Sequence, residues 1–236
     1  MDDTEKLEVY RAQTQNVRAL NRAWKQMNRT INHSLRKGDH ISAQAHTKAL
    51  VLVFCAWSEA FFSKLIHTPY GFTNDEIDQI KHKYQQDGLE ASWVKCLELA
   101  LRKVSSNPKR SNYIPNIRQR LLRTISQYVT EPRILRNKIA HGQWEVALNR
   151  EQTAVNADIS AQIQEVDVVR VRIWYEVFGY LAAIVECLIE SPDRAFQRDY
   201  WIVTAELEQF LDDTRDWSLG TKVDHLKHKP LRETQG

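Results

Sequence analysis

Thr130-Glu131-Pro132-Arg133-Ile134-Leu135-Arg136-Asn137-Lys138-Ile139-Ala140-His141-Gly142 carries signals for both ends of one helix. Thr130 is a residue type that caps helix N-termini, and Pro132 suits a first turn, where its missing N–H is no loss. Glu131 complements the positive end of the helix dipole. Gly142 fits the left-handed residue that closes a helix. The expected helix runs from 131 to 141 and buries Ile134, Leu135 and Ile139. His141 falls at its C-terminal end, where the dipole favours a cation. Arg136 lies five residues earlier, so at ~3.6 residues per turn the two Cβ atoms point about 140° apart. A long arginine and a histidine at a helix end can still converge on one phosphate. Taken singly, Arg136 reads as a salt-bridge partner and His141 as a capping cation.

Working outward, apolar spacing predicts helices along most of the chain. Tyr10, Val17, Leu20, Trp24, Met27 and Ile31 keep a three/four spacing over 4–36. A second helix over 41–67 holds the most apolar run, Ala49 to Trp57. That run is shorter than the ~20 residues needed to span a bilayer, so it reads as a core helix. Ser58 and Glu59 interrupt it among Phe54, Trp57, Phe61 and Phe62. A carboxylate there must be paired, solvated at a cleft or protonated. Thr73 or Asn74 starts a third helix, and 89–105, 165–190 and 193–213 supply further ones. Residues 144–163 alternate in places and read as short strands or an ordered loop. The polar, basic residues 219–236 read as a disordered tail. With only 7 Gly and 6 Pro among 236 residues, the fold class is all-α with a real hydrophobic core.

Whole-chain charge is +3, too small to imply a nucleic-acid partner. Its distribution is more informative. From Leu99 to Thr130 there is no Asp or Glu, while Arg102, Lys103, Lys109, Arg110, Arg118, Arg120 and Arg123 fall there. Arg133 and Lys138 extend the run into the 131–141 helix. Charge runs are usually solvated faces. This one leads straight to Arg136 and His141, and Asn112 and Tyr113 within it suit base contacts, so a phosphate-tracking surface is the preferred reading. Cys55, Cys96 and Cys187 are far apart and form no CxxC, which suits reduced, buried thiols. The acidic start Met1-Asp2-Asp3-Thr4-Glu5 lacks the apolar core of a signal peptide, so a cytoplasmic protein without a membrane partner is expected.

Arg136-Asn137, four further residues and His141, following a proline-started turn, resembles the signature of the HEPN superfamily. The resemblance rests on Arg136, Asn137 and His141 and covers a core of about 41–190. It leaves 1–40 as an N-terminal helical extension, 191–218 as a C-terminal helix and 219–236 as a tail. It implies a HEPN-like helical bundle that dimerises and brings two Arg/His motifs to one cleft. It also implies metal-independent RNA cleavage by the neighbouring 2′-OH, in a toxin or antiviral effector held by an antitoxin or regulatory protein. Trp57-Ser58-Glu59 resembles the place where such proteins carry an acidic residue facing the Arg/His helix. On this reading Arg136, His141, Asn137 and Glu59 form the catalytic set. Lys138, Arg133, Lys109, Arg110, Arg118, Arg120 and Arg123 would bind RNA. Some toxins of the family carry a tyrosine two residues after the histidine as a modification site; Gln143 stands there, so that style of neutralisation is not expected.

Other chemistry lacks a motif. There is no Gly-rich phosphate loop and no Gly-x-Ser-x-Gly elbow. His225 and His228 beside Asp224 read as a surface cluster rather than a metal site. No cofactor is expected. The alternative function is a HEPN-like module that holds RNA, a nucleotide or a protein without cutting, and a purely structural adaptor is the third. An exposed His141 facing a partner copy favours cleavage; a His141 buried against Trp144 favours binding.

Overall fold

Asp2 opens the first helix by accepting a hydrogen bond from the Glu5 amide, while the Glu5 carboxylate accepts one from the Asp2 amide. The computed structural model describes residues 2–105, 114–190 and 195–228. Helix α1 (Asp3–Lys37) turns at Gly38-Asp39 into α2 (His40–Ile66), and the two pack along their length as a hairpin. A reciprocal Thr73/Glu76 cap starts α3 (Asn74–Asp87). Gly88, at φ +83°, turns the chain into α4 (Leu89–Ser105). Next come α5 (Ile114–Ile125), a π turn (Ser126–Thr130) and α6 (Glu131–Ala140). A loop leads to α7 (Ala157–Glu165), and Asp167 caps α8 (Val168–Ile189). Short α9 (Ala195–Arg198), α10 (Tyr200–Asp213) and α11 (Leu219–His228) complete the chain. Among the described residues the only β feature is a single antiparallel bridge, Leu148 to Val155.

The architecture is an all-α bundle built on α2, which packs against α1, α6 and α8. Helix α8 in turn carries α4, α10 and part of α11. The centre is aromatic. Phe178 meets Trp57 at 5.4 Å and Trp93 at 5.3 Å between ring centroids, both edge to face. Tyr175 lies between Trp24 and Trp57, each 4.3 Å away, and its hydroxyl donates to Asn21 Oδ1. By length and composition α2 could cross a membrane; here its apolar side chains line the bundle interior.

Three expectations are corrected. Thr130 does not cap α6: it is helical, makes no cap bond, and its hydroxyl has no partner among the described residues. The helical path instead runs on from α5. Pro132 has no N–H to offer the Tyr128 carbonyl, and its ring crowds that carbonyl. The wide turn over Ser126–Thr130 lets the helix pass that defect. Second, Ala157, Asp158 and Ile159 are helical, because Asn156 accepts from the Ile159 amide and caps α7. Third, 219–228 is not a disordered tail. Helix α11 lies on α1 and α8, with the Arg36 Nε donating to the Leu226 carbonyl. The C-terminal helix expected over 193–213 is divided into α9 and α10 at Asp199. The loop expected at 105–108, and Asn112 and Tyr113, lie outside the described residues apart from Ser105.

Candidate functional site

Helix α6 ends as its sequence requires. His141 is the last residue with near-helical backbone, Gly142 takes φ +80°, and two bonds close the turn. The Gly142 amide donates to the Ile139 carbonyl and the Gln143 amide to the Lys138 carbonyl, the paired arrangement that satisfies helix C-terminal carbonyls. The His141 side chain is exposed and makes no hydrogen bond among the described residues. It is not covered by Trp144, whose indole N–H instead donates to the Ile139 carbonyl.

The loop after His141 is fastened at many points. Gln143 Oε1 accepts from the Leu148 amide at 2.8 Å, and the Lys138 ammonium donates to the Leu148 carbonyl. Lys48, with its side chain 1% exposed, reaches from α2 to Glu145 Oε1 at 2.6 Å. Ser160 and Gln164 of α7 add further bonds to 145–147. Glu145→Ala leaves a buried ammonium without its anion. The expected cost is ~1–2 kcal/mol, reduced from the fully buried case because Glu145 faces water. A calorimetric midpoint lowered by roughly 2–8 °C, with faster amide exchange over 143–148, is the expected result; an unchanged midpoint would remove the clamp from this account.

Arg136 points to α2. Its Nη2 donates to Glu59 Oε1 at 3.3 Å and its Nη1 to Asn137 Oδ1 at 3.0 Å. Both members of the ion pair keep about a third of their side-chain surface exposed, at 37% and 35%. The guanidinium is thus held on one edge and open on the other. The carboxylate expected at Glu59 is paired, and its partner is the motif arginine. Beneath the pair is a cavity of about 10 Å³, lined by Cys55, Ser58, Tyr128, Arg133 and Phe178 among others. It is far too small for a substrate group, so any ligand of Arg136 must lie on the outer face. Burial pushes the Cys55 thiol up to about 12, and it donates to the Pro132 carbonyl, as a protonated core thiol does.

Arg136 and His141 are not joined by a hydrogen bond. One faces α2 and the other faces solvent at the helix end, as their angular separation requires.

The basic residues separate into different environments. Arg118 pairs with Glu98 at 3.2 Å, and Arg120 contacts Glu208 of α10. Lys103 pairs with Glu76 of α3. The run that lacks acids in sequence therefore meets acids from other helices. Arg123 is exposed and without a partner among the described residues. Lys109 and Arg110 lie outside the described residues. Arg133 packs over Gly88, where a Cβ would come within 2.6 Å of its Nη1, so a side chain at 88 would displace it. Lys138 is committed to the 143–148 loop.

Sequence reasoning missed Tyr84. It sits on α3 within the field of Glu59, Arg136 and Arg133; burial first and then Glu59 raise its phenol above the usual range. Nothing in local spacing connects α3 to this place, because only the packing of α3 and α4 beside α2 and α6 brings it there. Comparison with protein-family models, curated proteins and solved structures finds no match to the chain.

Proposed function

We propose that the protein is a metal-independent endoribonuclease of the HEPN type, acting as a homodimer in which two copies of the Arg136/His141 helix share one cleft. The observation that carries this reading is the exposed His141 side chain, without a hydrogen bond among the described residues, at the end of the helix whose Arg136 is held half open by Glu59 and Asn137. RNA cleavage by the adjacent hydroxyl needs a base for the 2′-OH, an acid for the departing 5′-oxygen and positive charge at the phosphorane. The 2′-oxygen bonds to phosphorus, the bond from phosphorus to the 5′-oxygen breaks, and one proton is taken up and another delivered. One chain offers one histidine at the motif; two copies offer base and acid, with two arginines for the charge. Ile134, expected on the buried side of α6, is instead exposed, since only Pro132, Leu135 and Ile139 are buried there; it lies seven residues before His141, hence on the same stripe. With exposed Trp144 and Val146 it supplies apolar surface beside the histidine, which suits contact with a second copy. A role as a toxin or antiviral effector follows from such an activity if the target RNA is essential.

The test is purified protein with end-labelled RNA in excess EDTA. The expected products end in a 2′,3′-cyclic phosphate and a 5′-hydroxyl. RNA bound but never cut would replace the nuclease with the binding module. Glu59→Gln keeps the side-chain shape and removes the charge that aims Arg136. Cleavage is expected to fall roughly tenfold with the melting midpoint unchanged, because the ion pair is too exposed to carry much stability. Full activity in that variant would show that Glu59 does not aim the arginine.

A further inference from the structure

Helix α11 encloses a second cleft with α1 and α8. Its volume is about 370 Å³, within the range of ~300–1,000 Å³ usual for small-molecule sites. Arg172, Trp217, Thr221, Lys222, His225 and Asn32 face it, and no carboxylate lines it among the described residues.

Its charges are unbalanced. Lys222 is half-buried, and its ammonium makes no hydrogen bond or ion pair among the described residues. Burial first, and then the nearby Arg172, lower its pKa, against which only Asp167 pulls upward. Arg172 has a loose contact with Glu176 at 3.8 Å and lies 5.2 Å over the Trp217 ring. Two cations are therefore held near each other in a partly dry cleft without an anion between them. That arrangement is unfavourable when empty and is relieved by a bound anion. The N-terminal end of the ten-residue α11 adds to the same positive field.

The cleft asks for more than an anion. Trp217 stays partly exposed and gives an aromatic surface, with Val169 and Leu226 as apolar walls. On α1, Asn32 lines the cleft, and its Oδ1 has no hydrogen-bond partner among the described residues; such an acceptor gains from a ligand N–H or O–H once the amide turns toward the cleft. A nucleoside phosphate joins an anion, a flat ring and N–H and O–H donors in one small molecule.

We propose that the cleft between α1, α8 and α11 binds a nucleoside phosphate. The phosphate lies between Arg172 and Lys222, the base against Trp217, and a base amino group or sugar hydroxyl donates to Asn32. The site is separate from the Arg136/His141 helix. Arg170 reaches across to Glu131 at the start of α6, and Arg172, two residues on, projects about 160° away around α8.

The experiment is isothermal titration of the full chain with ADP, adenosine and inorganic phosphate. ADP is expected to bind more tightly than either part. Lys222→Met keeps the apolar stem and should weaken ADP about tenfold or more, since it removes a charged hydrogen bond. Lys222→Arg should retain binding, which separates charge from folding. Trp217→Leu should weaken ADP while leaving phosphate within about twofold, as expected when only stacking is lost. Arg136→Ala should bind ADP like the unaltered protein. No binding of ADP overturns the proposal, as does ADP binding indifferent to both Lys222→Met and Trp217→Leu. Phosphate binding as tightly as ADP would make this a plain anion site and overturn the nucleoside assignment.

Discussion

His141→Ala is expected to abolish RNA cleavage, by at least about a hundredfold, while the protein melts as before and still binds RNA. The size follows from the role: a positioned acid or base contributes ~10²–10⁴ in rate. The specificity follows from the structure. The imidazole is exposed and makes no hydrogen bond among the described residues, so its removal should cost no more than ~0.5 kcal/mol. The turn that ends α6 is made by the amides of Gly142 and Gln143, which the substitution leaves in place. Arg136→Ala should reduce cleavage by ~10²–10³, the worth of one preorganised cation at a developing charge. Its exposed ion pair with Glu59 contributes under about 1 kcal/mol to folding. The assay is end-labelled RNA in EDTA with thermal melts in parallel. Cleavage by His141→Ala at the unaltered rate would end the nuclease reading, whatever Arg136→Ala does.

Phe178→Ala is expected to cost ~3–5 kcal/mol, the usual range for truncating a buried phenylalanine. Its ring is 1% exposed and meets Phe54, Trp57, Phe61 and Trp93, so it joins α2, α4 and α8. At about 2–4 °C per kcal/mol for a chain of this size, the midpoint should fall by roughly 6–20 °C. Cleavage should fall as well, because Phe178 also lines the small cavity beneath Arg136 and Glu59. Calorimetry and urea unfolding measure the loss. A change under about 1 kcal/mol would show that the aromatic centre repacks freely and does not hold α2 in place.

Much of the fold was legible from local patterns. The end of α1 and the start of α2 follow from the Gly38-Asp39 turn. Helix α4 begins at Leu89, as its apolar spacing predicts, and is helical through Ser105, where the described residues stop. The end of α6 at Gly142 was equally legible, because the left-handed turn is a property of that residue. The other end of α6 was misread. A threonine before a proline has the chemistry of a cap, but packing of α5 against α4 holds the helix continuous and the π turn absorbs the proline. Helix α11 was read as a tail because its composition is polar. It lies on α1 and α8 through Leu219, Val223 and Leu226, three apolar residues whose partners are far away in sequence.

The candidate site divides in the same manner. The spacing of Arg136, Asn137 and His141 on one short helix, and the presence of an unusual carboxylate at Glu59 in an apolar helix, are one-dimensional facts. That Glu59 and Arg136 meet at 3.3 Å is not; it depends on how α2 and α6 cross. The same holds for Arg118 and Arg120, whose neutralising acids come from α4 and α10, and for Tyr84 beside the ion pair. Helix caps, turns and amphipathic periods arise from interactions within a few residues, so the order of residues contains them. Ion pairs across helices, buried cations such as Lys48 and the cleft under α11 arise from side chains separated by tens of residues or more. Their distances are set only when the aromatic core packs, and that is where the tertiary structure decides.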